Sequence, residues 1–111
     1  MAIRDGLGPA ELMALLAILT LEDDAYGVPI ARAISEATGR DALLGSVYLT
    51  LERLEKKGLV TSRLGEPTAE RGGRAKRYFR VTAKGLGEVR ATQRALARLS
   101  HGVRGLKGEL A

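Results

Sequence analysis

Apolar residues recur with helical spacing in four stretches of the chain and alternate with polar ones in two shorter runs. Leu12, Leu15, Leu16 and Leu19 fall at i, i+3, i+4 and i+7, which predicts an amphipathic helix. It opens at Pro9, a residue favoured at the first helical position, with Glu11 in the first turn where the helix dipole favours an acid. Met13 and Ile18 lie off that stripe and are apolar too. Such a helix is expected to be covered on more than one side, by other helices or by a second subunit. Glu22, Asp23 and Asp24 then form an acidic turn. Asp24 is one candidate cap for the second helix, but Pro29 fits better if regular helix starts at about Val28. Ile30 and Ile34, with Ala33 and Ala37, give its buried face, and Gly39 its C-terminal cap. The link over residues 40–43 is so short that the second and third helices must pack at an angle, as in a helix-turn-helix.

The third helix is expected over residues 44 to 57, where Val47, Leu51 and Leu54 share one face and Gly58 ends the run. At 100° per residue the opposite side holds Gly45, Leu49, Arg53 and Lys56. Ser46, Thr50 and Lys57 flank that side, and Tyr48 sits at its other margin. Gly45 and Ser46 let the helix start come close to a phosphate, where free backbone N–H groups donate. Ser46, Thr50 and Arg53 are types that reach base edges or phosphates, and Leu49 has a use against a thymine methyl. An ordinary solvated helix face is the competing reading, and the exposed Leu49 argues against it. Residues 59–64 and 77–82 are rich in β-formers and read as a hairpin. Gly65, Pro67, Gly72 and Gly73 lie in the loop between them. Arg71, Arg74, Lys76, Arg77 and Arg80 crowd the loop and the returning strand with no acid after Glu70. A helix followed by a basic hairpin is the working end of a winged helix-turn-helix.

The last helix is expected from about Ala83, with Thr82 as N-cap. Val89, Leu96, Val103 and Leu110 recur every seven residues, and Leu99 and Leu106 follow two of them by three. That is an a/d seam, the mark of a helix pairing with another helix; the competing reading is a core helix within the chain. Gly102, Gly105 and Gly108 each weaken the end by about 1 kcal/mol relative to alanine, so good helix is expected to about Ser100. The fold class expected is mainly α with a small β-hairpin. Residues 1–82 would form a winged helix-turn-helix domain, and residues 83–111 a dimerisation helix with a frayed tail.

Composition narrows the chemistry. The 111 residues suit one small domain. There is no cysteine and one histidine, His101, so disulfides, thiolate metal sites and histidine-cluster metal sites are excluded. No phosphate-loop pattern and no nucleophile with its base can be found, so neither an enzyme nor a cofactor is expected. The most apolar run, residues 12–21, is half the roughly 20 residues of a membrane span. The N-terminus lacks a signal-peptide pattern, so a soluble cytoplasmic protein is expected. Charge is unevenly spread. Residues 1–52 carry 3 basic and 8 acidic side chains, residues 53–80 carry 9 and 3, and residues 81–111 carry 6 and 2. A basic zone confined to one structural unit suits a polyanion binder, although a solvated surface would look similar.

Ala25-Tyr26-Gly27-Val28, Gly45-Ser46-Val47-Tyr48 and the run from Leu51 through Glu52-Arg53-Leu54-Glu55-Lys56-Lys57-Gly58 to Leu59-Val60 occur here in a distinctive order. Gly65-Glu66-Pro67, Glu70-Arg71-Gly72-Gly73-Arg74 and Lys76-Arg77-Tyr78-Phe79-Arg80-Val81-Thr82, with Gly85, complete it. Over residues 7–90 this ordered set resembles the PadR-like transcriptional regulators, in their short form with a single C-terminal helix. The resemblance implies a homodimeric winged-helix protein, usually a repressor, that binds double-stranded operator DNA. The third helix would enter the major groove with the wing beside it. Expected DNA contacts are Gly45, Ser46, Tyr48, Leu49, Thr50 and Arg53 on the helix, and Gly72, Gly73, Arg74, Lys76 and Arg77 at the wing. The first and last helices would form the dimer interface through Leu12, Leu16, Val89, Leu96, Leu99 and Val103. Members of the family also respond to small aromatic or cationic effectors, none of which these residues name. The chain departs from the pattern at Leu43, where a serine often caps the third helix, at Pro29 and at Ala83. A winged helix that binds proteins instead of DNA is the alternative function, since fold alone does not fix function.

Overall fold

The computed structural model describes residues 6–66 and 75–106. Helix α1 (Pro9–Leu21) begins at Pro9 as its first helical residue, with Gly8 as N-cap. The Glu11 carboxylate reaches back to accept a hydrogen bond from the Gly8 N–H at 3.1 Å, half of a capping box. A short 3-10 turn (Glu22–Asp24) follows, and α2 spans Gly27–Thr38. This start is one residue earlier than Pro29 suggested, and Tyr26 caps it without a side-chain hydrogen bond. Asp24 belongs to the turn and does not cap the helix. Gly39, at φ 72°, closes α2 in the left-handed region, and its N–H donates to the Ser35 carbonyl.

Helix α3 (Leu44–Lys56) has Leu43 as N-cap with no side-chain hydrogen bond, so the capping bond that a serine would make there is not made by this residue. Gly58, at φ 76°, ends the helix turn. Strands β1 (Val60–Leu64) and β2 (Arg77–Val81) pair antiparallel, with Val60 opposite Val81 and Ser62 opposite Phe79. The hairpin is extended by one bridge from Tyr26 to Tyr78, and the Phe79 N–H donates to the Ala25 carbonyl at 2.8 Å. The start of α2 is thereby tied to the returning strand.

The core lies where α1, α2, α3 and the hairpin meet. Leu15, Ile30, Leu51, Leu54 and Val60 are fully buried there, each contributing about 1.5–3 kcal/mol by leaving water. Around them lie Ala14, Ala17, Ile18, Val47, Leu59 and Phe79. Helix α1 is rotated from its leucine stripe. Leu15 and Ile18 enter the core, Leu12 and Leu16 are half-buried beside it, and Leu19 is exposed. A helix apolar all round gives no phase to its periodicity, so the neighbours decide which side turns inward.

Helix α4 runs Ala83–His101 and ends one residue beyond the expected point. Thr82 caps it by accepting from the Gly85 N–H at 3.0 Å, and the same hydroxyl donates to the Gly58 carbonyl at 2.8 Å. Gly85 lies against the Leu59 carbonyl, where a side chain would overlap it. Val89 is buried in the core of its own chain, which corrects its assignment to a dimer seam: the first two turns of α4 are docked on α1 and β2. Beyond it the helix is exposed except for partly covered Thr92 and Ser100.

Candidate nucleic-acid interface

The buried side of α3 is set by Val47, Thr50, Leu51 and Leu54, at i, i+3, i+4 and i+7. This leaves Gly45, Ser46, Leu49 and Arg53 on the open side, with Tyr48 beside them. Leu49 is 58% exposed, so this face carries an apolar side chain that stands largely open among the described residues. Thr50 is different. It is 6% exposed and lines the seam between α1 and α3 with Ala10, Met13 and Ala14. Its hydroxyl donates to the Ser46 carbonyl at 3.1 Å and accepts from Arg53 Nη2 at 3.3 Å. Thr50 therefore lies beneath the open face and is removed from the direct-contact set. The helical wheel had put it at a margin, and α1 covers that margin.

Tyr48 owes its place to Gly27. A side chain at Gly27 would overlap the Tyr48 ring and hydroxyl, so the start of α2 is bare where the ring passes. Glu11 is a site residue that the sequence did not reveal. It is 6% exposed, and its carboxylate accepts from Lys57 Nζ at 2.8 Å while Arg53 Nε stands 4.0 Å away. Burial pushes the Glu11 carboxyl up. The Lys57 hydrogen bond, the Gly8 N–H and the charges of Lys57 and Arg53 outweigh burial and hold it below the ordinary value. In sequence this residue looked like a simple dipole partner, because its cations are 42 and 46 positions away.

The hairpin presents bases on both faces. On one face Lys76 Nζ lies 4.6 Å from the centre of the Tyr26 ring, and Arg63 lies 5.0 Å from that of Tyr78. The two rings meet edge to face at 5.4 Å. Both cations are within cation–π range, so each ring faces a positive charge. On the other face Arg77 Nη1 donates to the Ser62 hydroxyl at 3.0 Å, and that hydroxyl donates to Glu55 of α3 at 2.8 Å. The wing is thus joined to α3 through side chains. Arg80 pairs loosely with Asp23 at 3.8 Å, both well exposed, a contact of little energetic weight. Gly72, Gly73 and Arg74 lie outside the described residues. Tyr26, Ser62 and Arg63 were not singled out from sequence as site residues; only the strand register brings them to it.

Leu96, Leu99, Val103 and Leu106 are all exposed on the distal part of the chain, Leu99 at 76%. Among the described residues no group of three or more histidines and acids could hold a metal ion. No described helix is long and apolar enough to cross a membrane.

Residues 15–91 match the model of the transcriptional regulator PadR-like family. A curated relative from Lysinibacillus sphaericus, described as an uncharacterized protein, is 31% identical over 85 residues, which is 75% of each chain. Among solved structures, a PadR family transcriptional regulator from Eggerthella lenta superposes with a TM-score of 0.67 at 25% identity, covering 87% of this chain and 81% of that one. A transcriptional regulator from Clostridium thermocellum gives 0.69 at 22% identity, covering 88% and 89%. The helix-turn-helix, the basic hairpin and the family match agree: this chain belongs to the PadR-like family of DNA-binding transcriptional regulators, which are not enzymes.

Proposed function

We propose that the protein is a cytoplasmic repressor that binds a pseudo-palindromic operator as a homodimer. Residues 1–82 serve as the DNA-binding domain and residues 83–111 as the dimerisation helix. The observation that carries the reading is the open face of α3, where Leu49 stands exposed between Gly45, Ser46, Tyr48 and Arg53. An uncovered leucine among hydrogen-bonding residues is a cost in water and an asset in a major groove. Tyr48, Ser46 and Arg53 read the groove and its nearby phosphates. Lys76 and Arg77, with Gly72, Gly73 and Arg74, hold the backbone from the wing.

The second subunit is supported by α4. About three helical turns beyond Val89 stand largely clear of the other described residues, and so short a helix is marginal in water without tertiary packing. Covering Leu96, Leu99, Val103 and Leu106 with a second copy, together with half-buried Leu12 and Leu16 of α1, supplies that packing. Two copies of α3 would then enter successive major grooves roughly 34 Å apart.

The test is a titration of duplex DNA at several salt concentrations, beside sedimentation of the free protein. Operator binding by a dimer predicts a steep salt slope, preference for one palindromic duplex from a randomised pool, and a two-chain sedimenting mass. No binding to any duplex at low salt would favour a winged helix that recognises proteins.

A further inference from the structure

We infer that Glu11 is a positioning residue for base recognition that acts through Arg53; the inference rests on the reading of α3 as the groove helix. Arg53 leaves the open face of α3 and, among the described residues, is steered on one edge. Its Nη2 donates to Thr50 Oγ1 at 3.3 Å, and its Nε lies 4.0 Å from Glu11 Oε2. Lys57 holds the same carboxylate oxygen at 2.8 Å. That closer contact keeps Glu11 from drawing Arg53 fully inward, and the guanidinium remains more than half exposed. The outer N–H groups of the fork are left to donate to a base edge from a pre-set direction, which favours bidentate recognition.

The same carboxylate has a second effect. It places a negative charge beneath two cations at the end of the helix, so their pull on any phosphate is reduced. That reduction is common to every duplex, so it lowers affinity without changing the ratio of specific to non-specific binding, and Glu11 raises discrimination by aiming Arg53. A merely structural ion pair would leave the ratio of specific to non-specific affinity alone.

The experiment uses the full chain and a duplex that the wild-type protein enriches from a randomised pool, with an unrelated duplex as reference at the same salt. In Glu11→Gln the ratio of the two affinities is expected to fall roughly tenfold, the scale of one bidentate contact. Binding to the unrelated duplex should be no weaker than wild type. With Arg53→Ala already present, Glu11→Gln should lower the ratio no further. Thr50→Val removes the other tether while keeping the carboxylate, and the same loss of ratio is expected there, including if Glu11→Gln fails to fold. An unchanged ratio in Thr50→Val and Glu11→Gln, or an equal drop with and without Arg53, overturns the inference while DNA binding stands. If the wild-type protein binds neither duplex, the DNA-binding reading falls and takes this inference with it.

Discussion

The ring of Tyr48 on α3 fills the space that a side chain on Gly27 of α2 would need. The two helices of the helix-turn-helix are therefore fitted to each other at a point that also carries a proposed DNA contact. Gly27→Ala is expected to push the half-exposed Tyr48 ring aside, at a cost of about 1 kcal/mol. Adding Tyr48→Ala should restore most of that loss, because the clashing partner has gone. A double-mutant cycle by urea denaturation measures the coupling, and simple additivity would show that the two positions do not meet.

Glu11 makes stability depend on acid pH. Its folded-state pKa lies below its unfolded value, so its contribution is fully present above about pH 4.3. That contribution is lost as pH falls through the depressed folded value, since the unfolded chain takes up the proton first. Urea midpoints measured between pH 3 and 7 should fall on the acid side for the wild-type protein. The fall should be shallower in Glu11→Gln.

Arg53 and Arg77 are expected to fail differently. Arg53→Ala should relax sequence preference, whereas Arg77→Ala should weaken binding to every duplex and lower the log–log salt slope by about 0.9. Equal behaviour of the two variants in salt-series titrations would count against the division between groove and backbone contacts.

Thr82 serves two elements with one hydroxyl, capping α4 and donating to the Gly58 carbonyl. Thr82→Ala is expected to cost about 1–2 kcal/mol, since a cap and a second hydrogen bond are lost together. Denaturant unfolding reads this directly, and Thr82→Ser should recover most of it.

The exposed leucines of α4 give a prediction about assembly. Replacing Leu96 and Leu99 together by glutamate should yield monomers by sedimentation, with reduced helix content by circular dichroism. The core residues are untouched by these changes, so a cooperative unfolding transition should remain.

The sequence was informative where spacing alone determines structure. Pro9, Gly39, Gly58 and Thr82 mark element ends through backbone preferences that operate locally, and each stands at the end it predicted. It was less informative where a distant neighbour decides. Leu19 and Ile18 exchanged places because α1 is apolar around its whole circumference. Thr50 sits on a wheel margin that only α1 could assign to the inside. Val89 shares the heptad of Leu96 and Val103 but is claimed by its own core. Glu11 meets Lys57 and Arg53 across most of the helical domain, a pairing that no local pattern encodes.

The backbone reverses hand at Gly39 and at Gly58, one before α3 and one after it. Open space surrounds both positions, so what a side chain would meet there is conformational strain and no neighbour. The pose of α3 thus depends on two reversals of the main chain and on the buried row Val47, Thr50, Leu51 and Leu54. Gly45, Ser46, Leu49 and Arg53 take no part in the core. Presentation and content are carried by different residues, so mutation of the outer ones is expected to redirect the protein to new sequences at little expense in folding.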